Sequence, residues 1–383
     1  MECYLDNAAT TRPFSEVCDL VTRVMYEDFG NPSSLHMKGV IAERYVRQAR
    51  EQIAKTLKCA AKNIVFTSGG TESNNMALIG SALANARAGK HIITTCFEHA
   101  AVYEPLLYLE KMGYEVTYLP VDSMGHVSEE TLENALRKDT ILVSTMLVNN
   151  EVGAILDVEK FSKIVKAFNK DIIFHVDAIQ AYGKMNIYPK RMGIDLLSVS
   201  GHKIHGPKGT GFLYARKGLK LQPMIHGGGQ ERKMRAGTEN VPGIVGIGRA
   251  AVCSAAILEK KMAYESRLRD YFIRRLLEEI PGSSINGDRR NRLPNNVNIS
   301  IAGVNGPAVV ALLDLEGICV SSASACSTGE QKASHVQLAI GNAGHQAYEA
   351  IRFTLGIQNT PEELDDTVEV LKQCVKKLRD LKK

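Results

Sequence analysis

The chain has no Cys-x-x-Cys pair, although eight cysteines are scattered over its 383 residues. This excludes a zinc knuckle or a thioredoxin-like redox motif as the organising chemistry. Scatter through a chain of this size reads as a reducing compartment rather than a disulfide framework. No uninterrupted apolar run reaches the roughly 18 residues that read as a membrane helix, so no span is expected. The N-terminal Met-Glu-Cys-Tyr-Leu-Asp is acidic where a signal peptide would be basic, and a cytoplasmic location is expected. Long basic runs are also missing. With 47 Lys and Arg against 42 Asp and Glu, interspersed, the surface reads as mixed and solvated, and no direct nucleic-acid contact is expected. There is no internal repeat, no Walker A loop and no G-x-G-x-x-G fingerprint.

What is present is globular in character. Apolar residues make up 44% and charged residues 23%, enough for a sizeable core in two domains or one large domain with an appendage. Short β-branched runs alternate with longer amphipathic stretches. Strands are expected at 64–67, 92–95, 116–119, 141–148, 172–176, 196–199 and 212–215, and helices at 73–88 and 158–168. Apolar residues on consecutive strand positions suit strands covered on both faces, hence an α/β fold with a mainly parallel sheet wrapped by helices. Beyond about residue 255 the texture shifts to a long charged amphipathic segment, 255–280, then an alternating strand at 296–301. A closing helix is signalled by Thr360, Pro361 and Glu363, with Leu364, Val368, Leu371, Val375 and Leu378 on one stripe. The expected division is a large domain over 13–254 and a smaller α+β domain from 1–12 and 255–383.

Ligands in open α/β sheets bind beyond the carboxyl ends of the strands. His99, Asn149, Asn150, Asp177 and Lys203 each follow an expected strand, and together they describe one polar pocket. Lys203, in Ser200-Gly-His-Lys203, can form a Schiff base with a carbonyl if kept neutral; taken alone it is equally a surface lysine in a glycine-rich turn. Ser68-Gly-Gly-Thr71 between a strand and a helix suits a phosphate, and also suits a plain turn. Ser200 and His202 can add donors to the same phosphate. Asp177 at a strand end can keep a pyridine nitrogen protonated, or simply cap the next helix. Gln180, three residues on, can reach a ring oxygen. His99 can stack on a ring or serve a structural role. Arg352, alternating with apolar residues, can hold a carboxylate in a bidentate pair or lie on a strand surface. Cys326 sits among small residues, a poor core sequence, so its thiol reads as reactive; Cys319 reads as an ordinary buried strand cysteine.

Over essentially its whole length the chain resembles the cysteine desulfurases, fold-type-I pyridoxal-phosphate (PLP) enzymes that feed iron-sulfur assembly and tRNA thiolation. The resemblance rests on Tyr4-Leu-Asp-Asn-Ala-Ala-Thr-Thr11, Gly30-Asn-Pro-Ser-Ser34, Thr67-Ser-Gly-Gly-Thr-Glu-Ser-Asn74, Glu98-His99, Val148-Asn-Asn-Glu-Val-Gly153, His175-Val-Asp-Ala-Ile-Gln180, Ser200-Gly-His-Lys203, Arg235-Ala-Gly-Thr238, Ser324-Ala-Cys326 and Ile351-Arg-Phe353. It implies that Lys203 holds PLP covalently and moves the substrate Cα proton, with His99 stacked over the ring. It implies that Asp177 pairs with the pyridine nitrogen and Gln180 with the ring hydroxyl, and that Gly70, Thr71, Ser200 and His202 bind the phosphate. Thr238 is expected to reach the phosphate of a neighbouring subunit, which implies a homodimer. Asn150 and Arg352 are expected to hold the substrate carboxylate. Cys326 is the implied nucleophile, taking sulfur from L-cysteine as a persulfide and passing it to acceptor proteins. Its Ser- and Gly-rich surroundings suggest a loop that swings to deliver sulfur. Ala333 stands where relatives commonly carry proline. A selenocysteine lyase or another PLP-dependent aminotransferase is the alternative activity, and an aminotransferase has no need of Cys326.

Overall fold

The computed structural model describes residues 2–322 and 333–381. The chain begins with a short strand, β1 (Cys3–Tyr4), and two helices, α1 (Ser15–Tyr26) and α2 (Met37–Thr56). Strands and helices then alternate through β2 (Ile64–Thr67), α3 (Gly70–Ala84), β3 (His91–Thr95), α4 (Ala100–Lys111), β4 (Glu115–Leu119), α5 (Glu129–Ala135), β5 (Thr140–Met146), α6 (Val158–Phe168), β6 (Ile173–Asp177), β7 (Leu196–Ser200) and β8 (Gly211–Ala215). Strands β2 to β8 form one sheet in the order β2-β8-β7-β6-β5-β3-β4. Strands β3 to β7 pair in parallel, and β8 runs against both of its neighbours. Every residue of β2, β3, β5, β6, β7 and β8 is buried, which is why their sequences read as continuous apolar runs. The edge strand β4 has a partner on one side only and is buried at Leu119 alone.

The second part is built on α7 (Val241–Glu279), β9 (Ser283–Ile285), β10 (Asn296–Ile301), α8 (Gly306–Leu315), β11 (Ile318–Cys319), β12 (Ser321–Ser322), α9 (His335–Ala339), β13 (Ala350–Thr354) and α10 (Pro361–Asp380). Its four-stranded antiparallel sheet runs β12-β13-β10-β9, while β1 pairs in parallel with β11 and so ties the first residues to this part. Cys3, Leu5, Phe272, Ile299, Phe353 and Leu371 share its core. The closing helix has the capping box expected of it, Thr360 and Glu363 bonding reciprocally across its first turn.

Two elements start earlier than their composition suggested. Helix α3 begins at Gly70 rather than 73 and ends at Ala84 rather than 88. The charged segment taken to start at 255 is the second half of α7, which begins at Val241 with Asn240 accepting a bond from the Gly243 N–H. Its first half puts Val241, Ile244, Val245 and Ile247 into the large core. Its second half puts Leu268, Phe272 and Ile273 into the smaller one. The shift in composition therefore marks a change of packing partner within one helix, and the 254/255 division falls inside it. An 18-residue window of α7 is apolar and long enough to cross a membrane, but over half of it is buried in the protein, as in a core helix.

Candidate functional site

The carboxyl ends of the parallel strands bring their following residues to one edge of the sheet. Between β2 and α3, Gly69 adopts φ 156°, ψ −172°, a region open essentially to glycine alone. A Cβ on Gly70 would sit 2.2 Å from Ile179 Cδ1, so any side chain there would have to displace the end of Ile179. After β3, His99 caps α4, and its Nδ1 accepts the Ala101 N–H at 3.0 Å. A neutral imidazole that accepts at Nδ1 carries its proton on Nε2. Burial keeps His99 in that neutral form, holding its pKa below the usual range, with Lys203 and His335 pushing the same way and Asp177 opposing.

After β5, Asn149 and Asn150 divide the work. Asn149 is structural: its Oδ1 accepts the Glu151 and Val152 N–H groups and its Nδ2 donates to the Phe97 carbonyl. Asn150 lines the cavity. At the end of β6, Asp177 is buried and oriented on both oxygens, Oδ2 accepting from Asn74 Nδ2 at 2.7 Å and Oδ1 from the Ile179 N–H at 2.9 Å. Burial pushes its pKa up, and those two bonds oppose the shift. After β7 a tight turn carries Lys203, whose Nζ donates to the Ala8 and Ala9 carbonyls at 2.6 and 2.7 Å. In the same turn His202 is driven down to about 4 by burial and by Lys203, Lys208 and Lys184, so it is a neutral donor near pH 7.

Gly70, Thr71, His99, Asn150, Asp177, Gln180, Ser200, His202 and Lys203 line a single cavity of about 210 Å³, closed by the apolar Met146, Val148 and Ile179. Larger clefts occur elsewhere: one of about 460 Å³ between α1, α2 and α7 has no buried carboxylate, and in one of about 590 Å³ the buried Asp195 is already paired with Lys166 and Arg216. The cavity suits a flat, phosphorylated pyridine aldehyde such as PLP. A bare helix start with Thr71, Ser200 and His202 would offer donors to its phosphate, the oriented Asp177 carboxylate would suit a protonated ring nitrogen, and the Lys203 amine would suit the aldehyde.

Two expected site residues are not among those lining this cavity, and a third lies outside the described residues. Thr238 lines a separate cavity with Ser68, Glu231 and Arg235. Arg352 adjoins the cavity through Asn150, its Nη1 donating to the Asn150 carbonyl and its Nη2 to Asp6 Oδ1, both at 2.9 Å. Cys326 lies outside the described residues. The control cysteine, Cys319, is on β11 as read, but half-buried rather than buried. Sequence reasoning assigned no role to Lys184, nor to Asp6, Ala8 and Asn74, although the last three fall inside segments that carry the resemblance. Asn74 and Lys184 carried a faint signal, each four residues beyond a recognised site residue, Gly70 and Gln180.

Comparison with known proteins places the chain in a family. The class-V aminotransferase family matches residues 3–367. A cysteine desulfurase IscS from Dictyoglomus turgidum is 49% identical over 380 residues, covering 99% of this chain and 96% of that protein. Another from Methanosarcina thermophila is 46% identical, covering 99% and 93%. Among solved structures, a NifS-like protein superposes with a TM-score of 0.93 at 40% identity, covering 99% of this chain and all of that one. SspA in complex with cysteine gives 0.82 at 34% identity, covering 94% of this chain and all of that one. The chain belongs to the class-V aminotransferase family and, within it, to the cysteine desulfurases.

Proposed function

We propose that this chain, with PLP on Lys203, takes L-cysteine to L-alanine and leaves the sulfur as a persulfide on Cys326 for transfer to an acceptor protein. The families to which it belongs are PLP enzymes. The observation that carries the reading is the joint lining of one cavity by Lys203, the doubly bonded Asp177 carboxylate and the bare start of α3. SspA in complex with cysteine, a similar structure, supports cysteine as the substrate.

Bound in this cavity, PLP supplies a sink for the electron pair released when the substrate Cα–H bond breaks. The residues do the rest. Asp177, held by Asn74 and the Ile179 N–H, keeps a ring nitrogen protonated. Lys203 takes the Cα proton. His99, neutral and protonated on Nε2, can give up and retake a proton at that atom. Asn150 and Arg352 hold the substrate carboxylate, their relative position fixed by the bond from Arg352 to the Asn150 backbone. The Cys326 thiolate forms an S–S bond to the substrate sulfur as the C–S bond breaks, the electron pair left on Cβ is protonated, and return of the proton from Lys203 to Cα gives alanine.

The acceptors proposed are an iron-sulfur scaffold or a tRNA thiolase. A homodimer is proposed with them. It is supported by Thr238, which lines a cavity away from its own chain's Lys203. The free thiols of Cys3, Cys18, Cys59, Cys96, Cys253, Cys319 and Cys374 fit a reducing, cytoplasmic setting. Incubation with L-cysteine and a reductant tests the activity. Alanine and sulfide in equal amounts are expected, and transamination without sulfide would favour an aminotransferase.

A further inference from the structure

Lys184 is among the largest fully buried side chains of the protein, at 2% exposure. Lysine is almost never buried to this extent, because taking an ammonium out of water costs several kcal/mol and an apolar side chain of similar volume packs more stably. Its Nζ donates to Gln180 Oε1 at 3.0 Å, and the Gln180 amide Nε2 donates to the Ala8 carbonyl at 3.0 Å. That same carbonyl accepts from Lys203 Nζ at 2.6 Å. A continuous chain of bonds thus runs from Lys184 through Gln180 and Ala8 to the lysine of the cavity.

This chain removes an ambiguity built into every glutamine. A side-chain amide presents either C=O or N–H to a ligand, and the two orientations are close to isosteric. Here both neighbours force one choice. An ammonium has no acceptor, so it demands Oε1; a carbonyl has no donor, so it demands Nε2. The second N–H of that amide belongs to a residue lining the cavity. Lys184 faces Lys203, Lys261, Glu265 and Arg352, and acts in turn on His202 and His205. Burial, then Lys261 and Lys203, push its pKa down to about 7 against the pull of Glu265, so its ammonium charge is present below about pH 7.

We propose that Lys184 is a positioning residue for the cofactor: it locks Gln180 as a hydrogen-bond donor toward the ring oxygen and adds a positive charge behind the same wall. The inference rests on reading the cavity as a PLP site. Both effects favour an oxyanion on the ring and disfavour a proton on the cofactor-lysine nitrogen.

The test is the pH titration of the visible cofactor absorbance, with PLP affinity measured by adding PLP to the apoprotein. In holo Lys184→Met the apparent pKa of the chromophore should rise by about one unit, as expected for loss of a nearby positive charge. PLP affinity should fall several-fold, while the melting temperature stays at or above that of the wild type, since a buried charge has been removed. Lys184→Arg should restore the chromophore pKa. If the methionine variant does not fold, Lys184→Gln is judged by the same titration. A folded variant whose chromophore titrates as the wild type overturns the inference alone, as does a fall in melting temperature with no shift in titration. A wild-type protein with no cofactor band overturns the reading of the cavity, and the inference with it.

Discussion

Asn74 Nδ2 lies 2.7 Å from Asp177 Oδ2, and this bond joins α3, which begins at the bare Gly70, to the strand whose end faces the same cavity. One helix therefore offers its N-terminus to an anion and fixes the carboxylate meant for a cation. A hydrogen bond to a charged group is worth about 1.5–3 kcal/mol, so Asn74→Leu should weaken PLP binding by roughly tenfold or more. Absorbance titration of the apoprotein measures it. An affinity equal to the wild type would mean that Asp177 does not depend on Asn74 for its orientation.

Gly70→Ala tests the closeness of the helix start to its neighbour. The new methyl would meet Ile179 Cδ1, and overpacking of this kind costs about 1–3 kcal/mol. Melting temperature and PLP affinity should both fall, and Ile179→Val in the same chain should recover part of each. Failure of that recovery would place the clash elsewhere.

Arg352→Lys keeps a positive charge but not the fork that spans Asp6 and the Asn150 carbonyl. Steady-state kinetics should show KM for L-cysteine rising about tenfold, the loss of roughly one good charged hydrogen bond, with kcat changed less and cofactor absorbance unchanged. A fall in kcat alone would contradict a role in holding the substrate.

The pH dependence of stability has a definite sign. Burial holds His175 down to about 3, and burial with neighbouring lysines holds His202 and His205 to about 4, all below their ordinary 6.5. In the unfolded chain these rings take up protons first, so the stability they contribute is full above 6.5 and is lost as pH falls toward 4. Glu98 and Glu151 act oppositely. Burial raises them to about 8 and about 7 from 4.5, so their contribution is present below 4.5 and lost as pH rises through 7 to 8. Between pH 6.5 and 4.5 the two sets oppose each other, so the histidine part is read from its own variant: relative to the wild type, the melting temperature of His175→Gln should gain as pH falls through this range. An unchanged slope would remove His175 from the account.

Thr360→Ala breaks the capping box of α10 and should cost about 1 kcal/mol, seen as a lower melting temperature with unchanged cofactor absorbance.

All strands of the main sheet but the edge strand β4 were legible because burial on both faces leaves continuous apolar runs, and the structure sets all seven strands within two residues of the expected positions. The cavity residues were legible because each follows one of those strands, so a single topological rule collects them. The start of α7 was not, because its small apolar first half and charged second half serve two cores. Asn74 and Lys184 were passed over for a different reason. What they do depends on partners the local sequence does not contain: Asn74 meets Asp177 across 103 positions, and Lys184 matters through a carbonyl at Ala8.

Two buried or half-buried lysines, Lys203 and Lys184, stand at opposite ends of the bond chain through Ala8 and Gln180, and the account assigns the cofactor to one of them. Borohydride reduction of the PLP-loaded protein, followed by digestion and peptide mass mapping, decides it. A single pyridoxyl-modified peptide is expected, with the added mass on Lys203. A label on Lys184, or protein that carries no pyridoxyl group after loading, would contradict it.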